Sequence, residues 1–186
     1  MRLFAAVQVS DAVRENLSRW IKQMKQSLEI PLKIKWVEGD NIHLTLKFFG
    51  EVKEEGLDNL RKCLGSAVKN IPGFNMEARG IGAFPNFQNP RVIWAGIYDS
   101  GEITRLAQAI EKMATEQGFH ANDKPFSPHL TLARLNRPAR RGLADVLEKN
   151  AQNFFGATPV DALYLIQSAL TPQGPRYQEV ERWPFK

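Results

Sequence analysis

The chain has 186 residues, with 25 Lys+Arg against 20 Asp+Glu and a formal charge of +5. That length sets one domain or two tightly joined lobes, and it buries a core without a disulfide or metal staple. Apolar residues at 43% and charged residues at 24% argue against a disordered, collagenous or coiled-coil chain, and the lone Cys63 rules out an internal disulfide and any Cys-rich metal site.

Leu3–Val9 reads as a buried strand. It is too short to cross a membrane and lacks the basic start and cleavage site of a signal peptide, so a cytoplasmic protein away from membranes is expected. Ser10 is a good N-cap, and Val13, Leu17, Trp20, Ile21, Met24 and Leu28 follow at helical spacing until Pro31. After a short stretch at Ile34–Val37, residues 41–50 alternate strongly and predict a strand, Asn-Ile-His-Leu-Thr-Leu-Lys-Phe-Phe-Gly. A second helix carries Leu57, Leu60, Leu64, Val68 and Ile71 on one face and is closed by Pro72-Gly73. Phe74–Ile81 and Arg91–Ile97 predict two strands joined by a Pro/Asn-rich loop. Ile103, Leu106, Ala107, Ile110 and Met113 predict a third helix, with Gly118 at its C-terminal cap. Phe126–Arg134 predicts another strand, followed by a basic loop from Arg134 to Arg141. A weaker helix, Leu143–Asn150, leads to a last strand pair, Val160–Leu170 and Arg176–Trp183. No linker divides residues 1–186, which read as one domain, and the mixture of hairpin-like and helix-separated strands points to an α+β or mixed-sheet fold.

Only three histidines occur, His43, His120 and His129, and two of them open the same tetrapeptide. His-Leu-Thr-Leu stands at 43–46 and again at 129–132, starts that lie 129 − 43 = 86 residues apart. For ordinary composition the accidental match is on the order of one in a thousand. The repeat predicts two similar lobes, each offering one His-x-Thr strand. Strand alternation sets Leu44 and Leu46 on the core face with His43, Thr45 and Lys47 opposite, and it treats Leu130, Leu132, His129 and Thr131 in the same way. Two such strands facing each other make a cleft lined by two imidazoles and two hydroxyls. An imidazole pair supplies a general base and a general acid near neutral pH, and Thr hydroxyls hold phosphoryl oxygens. In-line displacement at phosphorus needs its proton acceptor and proton donor on opposite sides, which two separate strands provide. A ribose 2′,3′-cyclic phosphate suits that constellation.

Two His-x-Thr-x motifs in one small chain resemble the two-histidine phosphoesterase superfamily. Several stretches resemble its bacterial RNA 2′,3′-cyclic phosphodiesterases, also called 2′-5′ RNA ligases. They are Arg2–Ala6, Trp36–Gly50, Pro90–Gly96, Phe126–Arg134 and Ser168–Tyr177, in the family's order and over nearly the whole chain. The resemblance implies an α+β, bilobal, pseudo-symmetric fold, with two antiparallel-rich sheets around a central cleft and helices on the outside. It implies a 2′-phosphate product formed without metal or other cofactor, with His129 as proton acceptor activating water and His43 as proton donor to the 3′ oxygen. The implied partners are RNA bearing a 2′,3′-cyclic phosphate end or small cyclic nucleotides, met by a monomer.

Thr45 and Thr131 share the same offset from each histidine and are expected to bind phosphate, although β propensity alone also favours threonine in strands. Arg134 has the parity of Leu130 and Leu132, so it reaches the cleft only if the strand ends or bulges after Leu132; otherwise it is a solvated arginine. Phe48 has core parity, while the family places an aromatic at the cleft for base stacking, and Phe126 beside the second motif is equally open. Lys47 either attracts phosphate or is a plain surface lysine, and Arg137, Arg140 and Arg141 either track an RNA backbone or form a solvated face. His120 lacks a Thr partner and reads as a loop residue, and Cys63 as a small, partly buried apolar one. Besides hydrolysis, the same site admits 2′-5′ RNA joining, and a basic RNA-end binding module without catalysis is the alternative of a different class. A zinc hydrolase lacks an assured third ligand, and no Gly-rich loop supports a nucleoside triphosphatase.

Overall fold

A computed structural model describes residues 1–27, 34–136, 142–171 and 174–186. The expected helix end at Leu28–Pro31 and the basic residues Arg137, Arg140 and Arg141 lie outside these. In chain order the elements are β1 (Arg2–Gln8), α1 (Asp11–Ser27), β2 (Ile34–Trp36), β3 (His43–Glu51), α2 (Glu54–Ala67), β4 (Phe74–Phe84) and β5 (Val92–Tyr98). There follow α3 (Glu102–Glu116), β6 (His129–Leu135), α4 (Leu143–Lys149), β7 (Phe154–Val160), β8 (Ala162–Thr171) and β9 (Gly174–Pro184). They build two antiparallel sheets, ordered β3-β1-β8-β9 and β2-β6-β5-β4-β7. Among the described residues no helix is long and apolar enough to cross a membrane.

Two expectations are corrected. The second helix stops at Ala67, short of Ile71, and Asn70 turns the chain away at φ 69°. β7 is a separate strand in the second sheet, which the sequence conceals. Gly156 and Pro159 break its pattern, and both are tolerated because β7 pairs only with β4 and forms the sheet's edge.

Each sheet buries one face under two helices. α1 turns Val13, Leu17, Trp20, Ile21 and Met24 inward. Trp20 meets Phe155 of β7 edge-on at 6.3 Å, so the helix that follows β1 covers the opposite sheet. α3, which follows β5, lies reciprocally against β3 and α2 of the first lobe. α2 reaches β9 through an Arg61–Glu181 ion pair of 2.8 Å, and α4 packs on β4. Removing this apolar area from water contributes about 1.5–3 kcal/mol per large side chain. The faces turned away from the helices are left to form the cleft.

The same irregularity interrupts both histidine strands. Ala5 pairs with Lys47 and Ala6 with Thr45, so Leu46 has no partner in β1. Ile93 pairs with Ala133 and Trp94 with Thr131, so Leu132 has none in β5. Each is a β-bulge at the fourth residue of His-Leu-Thr-Leu, and one extra residue reverses the alternation beyond it. Lys47 and Ala133 therefore turn to the core, while Phe48 and Arg134 turn to the side of the histidines.

Candidate active site

β3 and β6 lie against each other where the two sheets meet. Both imidazoles are held in the same way. His43 Nδ1–H donates to the Asn41 carbonyl at 2.8 Å, and His129 Nδ1–H donates to the Ser127 carbonyl at 2.7 Å, each two residues upstream. A carbonyl only accepts, so each bond fixes the proton on Nδ1 and leaves Nε2 as the reactive nitrogen.

Their surroundings differ. The His43 ring stacks on Phe4 at 4.8 Å and meets the edge of Tyr177 at 5.0 Å. Burial pushes its pKa from 6.5 down to about 4, against the opposing pull of the Asn41 carbonyl. His129 meets Phe84 edge-on at 5.1 Å, with Trp94 at 6.3 Å. Its pKa is also lowered, first by burial and then by the Arg134 cation, while the Ser127 carbonyl opposes the shift. Both rings are thus biased towards the neutral form when the site is empty.

Thr45 and Thr131 are half-buried on the same face as the histidines, and neither hydroxyl has a protein partner among the described residues. Arg134 is exposed and its charge reaches both His129 and Tyr177, which ties it to the cleft. Phe48 is 58% exposed and tilts against Phe4 at 5.6 Å, so its core parity is corrected by the bulge. Phe126 is half-buried against the hydrophobic core, in the segment before β6. Lys47 is neither a phosphate ligand nor a surface lysine. It is 1% exposed, with Nζ 2.7 Å from Glu111 of α3 and 2.8 Å from the His120 carbonyl.

Four cleft residues were not singled out from the sequence: Phe4, Tyr177, Phe84 and Trp94. Phe4 sits in a run that is buried on both faces and so shows no alternation. Tyr177 reaches the site from β9, by way of strand pairs no local pattern encodes. Trp94 lies flat on the second sheet because Gly82 opposite has no Cβ, which would collide with the indole. A pocket of about 330 Å³ opens beside His43, lined also by Tyr177, Gln8, Arg14, Asp40 and Glu179. Among the described residues no three His, Cys, Asp or Glu side chains cluster as metal ligands.

The model of the LigT like Phosphoesterase family matches residues 7–94 and 98–177, one His-x-Thr motif in each stretch. An RNA 2′,3′-cyclic phosphodiesterase of Archaeoglobus fulgidus is 39% identical over 180 residues, covering 97% of this chain and 98% of that protein. A protein of the same name from Aquifex aeolicus is 32% identical, covering 98% and 96%. The crystal structure of TT0787 of Thermus thermophilus superposes with a TM-score of 0.83 at 32% identity, over 100% of this chain and 98% of that one. E. coli LigT complexed with 3′-AMP superposes with a TM-score of 0.79 at 26% identity, over 99% and 97%.

Proposed function

The chain belongs to the LigT like Phosphoesterase family, and on that premise we propose that it hydrolyses RNA 2′,3′-cyclic phosphate ends to 2′-phosphomonoesters by paired imidazole catalysis. The observation that carries the reading is the matched pair of Nδ1–H to carbonyl bonds, which leaves Nε2 free on a histidine of each of two strands, β3 and β6, that meet where the two sheets come together. In the proposed step His129 Nε2 takes a proton from water as the water oxygen bonds to phosphorus. The bond from phosphorus to the 3′ oxygen breaks, and His43 Nε2–H protonates that oxygen. Thr45 and Thr131 hold the non-bridging oxygens, and Arg134 pairs with the phosphate charge. Phe48 and Phe126 are assigned to the bases. No step calls for a metal ion, and EDTA leaves the rate unchanged.

The empty site has a neutral His43, yet the donor must carry a proton. The arriving phosphodiester anion supplies the difference, because a negative charge beside a desolvated imidazole favours imidazolium. A proton returned from His129 to His43 through solvent resets the pair.

The same reading takes residues 1–186 as one cytoplasmic, monomeric domain, supported by a hydrophobic core that runs continuously through both lobes. The deciding experiment is digestion of a nucleoside 2′,3′-cyclic phosphate with identification of the monophosphate. A 2′-phosphate is expected. Binding without turnover removes the hydrolase reading in favour of an RNA-end binding module, and a 3′-phosphate overturns the donor and acceptor roles.

A further inference from the structure

The cleft face of the second sheet does not end at His129. His129 pairs with Gly96, Gly96 with Arg79 and Arg79 with Phe154. Directly opposed residues point to the same side of a sheet, so these four form one row across four strands. At about 4.8 Å per strand the row is about 14 Å long. Tyr98 stands two residues beyond Gly96 on the same face.

Three properties of this row are unusual together. Among the described residues the exposed large aromatics are Phe48, Tyr98 and Phe154, at 58%, 58% and 55%, and all three lie on cleft-side faces. The Arg79 guanidinium sits over the Phe154 ring at 5.4 Å with its side chain 49% exposed. Among the described residues its one carboxylate partner, Glu77, is 4.0 Å away and 47% exposed, too loose and too wet to neutralise it. Between His129 and Arg79 there is no side chain at all. A Cβ on Gly96 would stand 2.7 Å from the Arg79 carbonyl oxygen, with the Tyr98 and Trp94 rings 3.5 and 3.6 Å away. The row thus runs from imidazole to gap to cation to ring, with a second ring alongside.

We propose that this strip, Tyr98, Arg79 and Phe154, binds the single-stranded RNA immediately upstream of the reacting end, so that oligonucleotides rather than free cyclic nucleotides are the preferred substrates. It rests on the cyclic-phosphate reading above and extends it from the reacting phosphate to the chain behind it. Bases stack on exposed aromatic faces whatever their sequence, while arginine meets the intervening phosphates. Continuity with His129 and the excess of positive charge single out a nucleic-acid strand as the occupant. Glycine at 96 keeps the path low where the strand leaves the imidazole.

The test compares kcat/KM for a nucleoside 2′,3′-cyclic phosphate with that for a trinucleotide ending in the same group. The wild-type protein is expected to favour the trinucleotide about tenfold or more, as one stacked base is enough to give. Tyr98→Ala, Phe154→Ala and Arg79→Gln each lower that ratio severalfold, and the triple variant removes it. Tyr98→Phe retains it, because the ring remains. Arg79→Gln also flattens the salt dependence of the trinucleotide reaction alone. Equal rates for the two substrates in the wild type, or equal losses on both in the variants, overturn the strip. Turnover of neither substrate by the wild type defeats the cyclic-phosphate reading itself, and the strip as a substrate path falls with it.

Discussion

The half-site on β3 is aromatic and dry, whereas the half-site on β6 is cationic and wetter. Both begin with His-Leu-Thr-Leu, both bulge at its final leucine, and both tie the imidazole to the carbonyl two residues upstream. They part company just after the bulge. The next residue, turned to the core, is Lys47 in one and Ala133 in the other, and the one after, turned to the cleft, is Phe48 in one and Arg134 in the other. The duplicated segment fixes the positions of the reactive nitrogens, and two flanking positions divide the labour. On the proposed reading, one lobe offers a ring for a base and the other a charge for phosphate.

The sharpest test of equivalence is to delete each imidazole. His43→Ala and His129→Ala are each expected to lower kcat/KM by about 10³-fold or more, and the double variant to be little worse than either, since the two act as a unit. Steady-state kinetics on well-folded variants check this. A residual rate near wild type in either one breaks the pairing of the lobes.

The next contrast concerns stability. Lys47 is buried and bound to Glu111, whereas Ala133 needs no partner. Lys47→Met removes the charged hydrogen bond to Glu111 and leaves that partly exposed carboxylate without its cation, and is expected to destabilise the fold by about 1–3 kcal/mol. Pairing it with Glu111→Leu recovers much of the loss. Urea unfolding measures both, and an unchanged midpoint for Lys47→Met contradicts the assigned burial.

Smaller effects separate ring from cation. Arg134→Gln is expected to raise KM roughly tenfold and to weaken the salt dependence, whereas Phe48→Ala lowers base-dependent binding severalfold and leaves the salt response alone. An equal salt response in both variants removes the division of labour.

The smallest effect is a displacement in pH. With His43 lowered to about 4 and His129 lowered from 6.5, the singly protonated pair is most abundant on the acid side of 6.5. The kcat/KM profile is therefore a bell centred there, with its acid limb near 4, and the kcat profile lies at higher pH because bound phosphate favours imidazolium. Arg134→Gln removes a cation beside His129, so the limb set by that residue moves upward. A kcat/KM maximum well above neutrality refutes these environments. The same shift couples to folding. A histidine whose folded pKa is depressed holds full stability above its unfolded value, so stability declines as pH falls from 6.5 towards 4.

How much of this the sequence discloses depends on range. Alternation alone placed His43, Thr45, His129 and Thr131 on one kind of face, because the residues before each bulge obey period two. It failed at Lys47 and Phe48, where one unpaired leucine reverses the count and no residue type announces it. Arg134 posed the same problem, and there its charge made a bulge the easier account. Phe4, Phe84, Trp94 and Tyr177 come to the imidazoles through pairings between distant strands. Phe126 escaped the alternation for a local reason, since the coil ahead of β6 packs on the core rather than continuing the strand.

The crossing of α1 and α3 to opposite sheets has a consequence for how this chain can be taken apart. Cut between Tyr98 and Glu102, the first fragment keeps α1 but loses β7, the strand it packs against, together with β6, and the second keeps α3 without β3 beneath it. β8 and β9 are likewise stranded away from β1. Neither piece is a lobe, so each alone should be a poor folder, while the two made together should dock and recover a working cleft. The repeated histidine strand thus sits in something closer to an intertwined pair of subunits joined by a tether than to two beads on a string.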